Sequence, residues 1–162
     1  MTENPRTSVE PLAALIGRWD IIGRSVGADH DNIHGDVQIE PILDGNVLQL
    51  QGTMRVDDTE LQSLELVWPD PTGGFAAHVY SSSGEPLDYR WERHGPTLVH
   101  AGAGATYTGT ISEDGSTITG SWQPDPGQPA HAGSAYDSTM VRRADGARPA
   151  PASPAPTRRR GR

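Results

Sequence analysis

The 162-residue chain has no cysteine, no lysine and only one phenylalanine. Without thiols, disulfides, thiolate nucleophiles and cysteine-ligated zinc or iron–sulfur centres are excluded. No apolar run is long enough to cross a bilayer as a helix, and the opening MTENPRTSVEP lacks an apolar signal-like core. The expectation is a cytoplasmic protein with no membrane partner. An all-arginine basic complement beside abundant Ala, Gly and Pro reads as compositional bias rather than as a functional signal.

The formal net charge of -8 is unevenly spread. Five arginines (148, 158, 159, 160 and 162) follow Asp145 with no acid among them, which leaves eight arginines against 21 acids, net -13, over residues 1–145. A body of that sign repels a phosphate backbone, so nucleic acid is not expected as a partner. From Asp145 onward, DGARPAPASPAPTRRRGR carries no large apolar residue and cannot bury a core. The expected organisation is a disordered N-terminus at 1–9, one β-barrel domain at 10–144 and a disordered Pro/Ala/Arg tail at 145–162.

Within the domain, EPLAALIG is a short helical candidate, with Pro11 near its start and Gly17 just past its end. The rest of the domain reads as strand. In DVQIE, Val37 and Ile39 alternate with Asp36, Gln38 and Glu40; in LQLQGTMR, Leu48, Leu50 and Met54 alternate with Gln49, Gln51 and Arg55. Turn signals such as LDGN, VDDTE, PDPTGG and SEDGS recur every 8 to 15 residues or so, too close for parallel crossovers. About ten strands are expected: 17–25, 34–41, 46–55, 61–68, 75–82, 86–93, 97–102, 106–112, 117–123 and 134–143. Ten antiparallel strands with no second helix to cover an open face are best served by closure, so the fold class is an all-β, up-and-down barrel. A sandwich is the alternative.

The segment LIGRW, with Gly17-x-Trp19 opening the first strand after a short helix, resembles the N-terminal signature of the lipocalin-like, or calycin, superfamily. In that family the tryptophan closes one end of the barrel against an arginine from the last strand. The resemblance implies a pair between Trp19 and Arg142 in AYDSTMVRR, with Arg143 as the alternative if the register slips by one. YTGTISEDGSTITGSWQ is similar to a hairpin of an uncharacterised bacterial family of such barrels, and there is a more distant likeness to fatty-acid-binding proteins and to nitrobindin, a haem barrel. DIIGRSVGADHD departs from nitrobindin's glycine-repeated run ending in Tyr-Pro. The likeness carries fold, not function.

Strand parity counted from Trp19 puts Ile21, Gly23 and Ser25 inside, and the same alternation elsewhere makes Leu64, Leu66 and Trp68, then Tyr89 and Trp91, inward. Trp68, Tyr89, Trp91, Tyr107, Trp122 and Tyr136 are the expected ligand-binding lining: large aromatic faces with polar tips suit a hydrophobic organic ligand held by a few hydrogen bonds. The candidate catalytic residues are His78, Tyr80, Tyr89 and His100. A histidine would act as general base and a tyrosine would polarise a carbonyl. The facing of strands 75–82 and 97–102 stays open, and no carboxylate is clearly inward.

Two motif matches carry no chemistry. Gly23-Arg24-Ser25-Val26-Gly27 matches G-x-S-x-G but lacks the strand–turn–helix setting of a nucleophile elbow. His30 and His34 lie on an irregular loop where their spacing gives no shared face, so no metal site is expected.

The expected function is binding of a small hydrophobic, aromatic or polyketide-like molecule by a monomer or homodimer, with no cofactor. One alternative is a cofactor-independent cyclase or isomerase on the same scaffold. Another is haem binding through His78, His100 or His131.

Overall fold

A chain whose apolar residues recur every second position can bury only one face of each strand, and ten such strands in series resolve this by curling onto themselves. The computed structural model describes residues 8–130 and 134–144 and shows that closure. The strands are β1 (Gly17–Ser25), β2 (Ile33–Ile42), β3 (Val47–Val56), β4 (Thr59–Pro69), β5 (Phe75–Ser81), β6 (Gly84–His94), β7 (Thr97–Gly102), β8 (Ala105–Ile111), β9 (Thr117–Pro124) and β10 (Tyr136–Arg142). Each pairs antiparallel with the next, and β10 returns to β1, so the barrel has no free edge. The proposed tail at 145–162 and the start of the proposed N-terminal segment lie outside the described residues.

The register of the closing seam sets Trp19 opposite Arg142 and Ser25 opposite Tyr136. Arg142, not Arg143, is therefore the partner of Trp19, its guanidinium carbon 4.2 Å from the centre of the indole ring. That guanidinium donates to the carbonyls of Ala14 (2.7 Å), Gly115 (3.2 Å) and Ile16. Gly17, at φ 139°, is what lets it in: a Cβ there would collide with the Arg142 side chain, and the backbone conformation is one L-residues rarely adopt. The Gly-x-Trp spacing thus has a steric cause.

The helical candidate forms as a 3-10 helix (Glu10–Leu15), a tighter coil suited to a six-residue piece. It plugs one end of the barrel. Leu12 and Leu15 are buried, and the Trp19 indole N–H donates to the Leu15 carbonyl at 2.8 Å. Around this plug Ile39, Leu48, Val67, Phe75, Leu98, Ile111 and Ile118 complete an apolar core. Each large side chain removed from water there contributes about 1.5–3 kcal/mol.

One expected facing is reversed. On β4 the inward residues are Glu65 and Val67, both buried, while Leu64, Leu66 and Trp68 are on the outer wall. Pairing with β3 decides it, because Leu48 stands opposite Val67 and Leu50 opposite Glu65. A strand cannot turn its own alternation against the register of its neighbour.

Candidate functional site

Past the apolar plug, the inward side chains leave a cavity of about 190 Å³. Val37, Ile39, Leu50, Met54, Ile118 and Met140 supply aliphatic surface, and Glu65, Trp91, His100 and Tyr107 a polar-aromatic one. Two larger depressions differ from this cavity: one of about 550 Å³ is lined mainly by Gln, Ser and Thr, and one of about 1110 Å³ lies between Pro11, the β4–β5 turn and the charged side chains of Arg90, Glu92 and Arg93. Neither lies inside the barrel, where convergent strands present apolar and polar side chains to one ligand.

Glu65 is the residue that strand alternation did not reveal. It sits mid-strand on β4, 9% exposed, and its Oε1 accepts the Trp91 indole N–H at 2.7 Å and the His100 Nε2 at 2.9 Å. Burying a carboxylate is unfavourable unless it is paired and hydrogen-bonded, and these two donors meet that requirement. His100, from β7 and 12% exposed, is stacked on Trp91 with ring centres 3.9 Å apart and planes 14° from parallel. Its register partners are Trp91 on β6 and Tyr107 on β8, which places all three on the inner face.

Because a carboxylate oxygen only accepts, the hydrogen bond to Glu65 puts the imidazole proton on Nε2. In the neutral imidazole the lone pair is then on Nδ1, which has no hydrogen-bond partner among the described residues. Tyr107 is also unfinished: its hydroxyl is fully buried and makes no hydrogen bond of ordinary geometry. Burial raises the Tyr107 phenol above its usual range, and Ser138 stands near enough to offset part of that rise. The ring fits only because two facing residues are glycine. A Cβ on Gly109 would lie 2.6 Å from the hydroxyl, and one on Gly120 2.8 Å from the ring carbon that bears it.

From His100 the aromatic chain continues toward the end opposite the 3-10 helix. Tyr89 and Trp122 lie 5.0 and 5.2 Å from His100, and Tyr136 is 6.4 Å from Trp122. Burial pushes up the phenols of Tyr89 and Tyr136, with Glu65 adding to the first and Tyr107 and Tyr89 to the second. That end of the barrel also carries exposed Val26 (80%) and Leu87 (45%).

Of the expected residues, Trp91, Tyr107 and His100 therefore line the cavity, whereas Tyr89, Trp122 and Tyr136 do not line it and follow behind in ring-to-ring contact. Trp68, His78 and Tyr80 do not join them. They form a ladder on the outer wall, Trp68 to His78 at 5.0 Å and His78 to Tyr80 at 6.4 Å, with His78 Nδ1 2.6 Å from the exposed Asp88 carboxylate. The barrel wall separates His78 from His100, so the two cannot share one substrate. His131 lies outside the described residues. Among the described residues no group of three or more His, Asp or Glu side chains is placed to hold a metal ion. No protein-family model matches the chain, and no curated protein matches it either.

Proposed function

We propose that this barrel is a lipocalin-like binding protein for a small, planar, hydrophobic molecule, one or two aromatic rings in size, held in the interior cavity. The observation that carries the reading is the cavity itself: about 190 Å³, aliphatic side chains facing the Trp91–His100 stack. An apolar cavity of about 150 Å³ already accommodates benzene, whereas drug-sized ligands occupy roughly 300 Å³ and more. An aromatic or polyketide-like compound at the small end of that class fits, its face against Trp91 and its polar atom toward Tyr107 or His100. A four-ring haem plane exceeds this volume, which weighs against the haem alternative.

Titration with 2-naphthol, followed by quenching of tryptophan fluorescence, tests the proposal. Saturable one-to-one binding that is lost when Leu50→Trp fills the cavity is the expected outcome. Trp68→Phe and His78→Ala, on the outer wall, are expected to leave the titration unchanged. Quenching that fails to saturate, or that survives Leu50→Trp, overturns it.

A further inference from the structure

A pure binding cavity has no use for a buried carboxylate–imidazole pair, since hydrophobic residues of similar volume in place of Glu65 and His100 together would serve stability about as well. Here the carboxylate is retained, holds an imidazole by one nitrogen and leaves the other without a hydrogen-bond partner among the described residues. On the next strand, directly opposite His100, Tyr107 contributes a buried hydroxyl that makes no close hydrogen bond and has only the Ser138 side chain beside it. A base, its orienting carboxylate and a donor on one cavity are the parts of a proton-transfer site.

We propose that the Glu65–His100 pair and the Tyr107 hydroxyl form an isomerase site for a small planar carbonyl compound. The proposal rests on the cavity reading above. His100 Nδ1 takes a proton from the carbon beside the carbonyl. The C–H electron pair becomes the C=C bond of an enolate, and the C=O π pair moves onto oxygen, which accepts the Tyr107 O–H. The substrate carries a second C=C bond one carbon further on, and its π pair takes the proton back from the imidazolium at the far carbon; the enolate C=C pair shifts to the bond between, the oxygen pair re-forms C=O, and the double bond has moved. No oxidant, water or cofactor enters the balance. Glu65 touches no reacting atom: it is a positioning residue that fixes the tautomer and the ring plane of His100. Trp91, stacked on the imidazole and bonded to the same carboxylate oxygen, holds the other side.

The test uses 5-nitrobenzisoxazole and the full chain. Removal of its ring C–H proton by a base forms a nitrile and breaks the N–O bond, and the electron pair leaves on a coloured nitrophenolate oxygen. Saturable turnover is expected, with His100→Gln lowering kcat by about 100-fold or more, the usual contribution of a positioned base. Glutamine still offers Glu65 a donor. Glu65→Gln should lower kcat with little change in KM, a split that loss of folding would not produce, and Tyr107→Phe should lower kcat by a smaller factor. Independently of any variant, 2-naphthol should inhibit wild-type turnover at the concentrations that saturate quenching. Turnover equal in wild type and His100→Gln, or untouched by bound 2-naphthol, overturns the proposal and leaves the binding reading standing. Absence of saturable quenching by either compound removes the binding reading and the proposal with it.

Discussion

The two ends of the barrel are built to opposite rules. At the plugged end the buried polar groups are matched: the Trp19 indole N–H meets the Leu15 carbonyl, and the Arg142 guanidinium meets three carbonyls and an aromatic face. Around the cavity the chain instead buries a carboxylate, an imidazole and a phenol, and leaves the phenol with no close bond and only Ser138 beside it. Stability alone explains the first end but not the second. Unmet polar capacity in one otherwise consistent fold marks the place where another molecule belongs.

Substitutions can break or sharpen that contrast. The largest expected effect is at the plug, where Trp19→Ala opens a void beside Leu12 and Leu15 and frees the Arg142 side chain. A loss of about 3–5 kcal/mol is expected in urea denaturation. A loss below about 1 kcal/mol would mean that the plug is not the stabilising end. Tyr107→Phe should move stability the other way, by about 1 kcal/mol, because it removes a buried hydroxyl that makes no close bond while keeping the ring in its glycine seat. If that variant is instead destabilised, the hydroxyl is satisfied within the fold and the contrast fails.

The smallest effect is in the turns at the plugged end. Hydrogen bonds from the Ser116 hydroxyl and N–H, then the Ser112 hydroxyl, pull the Asp114 carboxyl from 3.8 to about 2. Its folded value lies below its unfolded one, so its contribution is full above about pH 4 and is lost as pH falls through about 2. Thermal melts across that window should show a shallower loss for Asp114→Asn than for wild type. An unchanged slope would show that the turn does not couple to folding.

Most of the fold was legible in period-two alternation and turn spacing, because an antiparallel meander leaves both marks in local sequence. The strand expected at 17–25 is β1 as found, and the one at 97–102 is β7 as found. The site was legible only in part. Tyr89, Trp91, Tyr107, Trp122 and Tyr136 lie on strands whose alternation is unambiguous, and all are inside. In LQSLELVWP apolar residues occupy both parities, so local alternation selected Leu64, Leu66 and Trp68 and hid Glu65. The deciding signal was one hairpin earlier: the tight turn at Asp57-Asp58, with Asp57 at φ 50°, pairs Val56 with Thr59 and brings Glu65 opposite the inward Leu50. His78 had the same ambiguity against Phe75, Ala77 and Val79, and the same propagation of register turns it outward.

The seam between the first and last strands has a consequence for how the protein comes into being. While a ribosome is still adding residues, Trp19 and the plug around it have no arginine to rest against, and both β1 and whichever strand was made last are open to pairing with other chains. Contacts joining the two extremes of a chain form slowly, since nearly all of it must be ordered first. A copy that ends short of Arg142 is therefore expected to be a source of aggregates rather than a smaller working barrel.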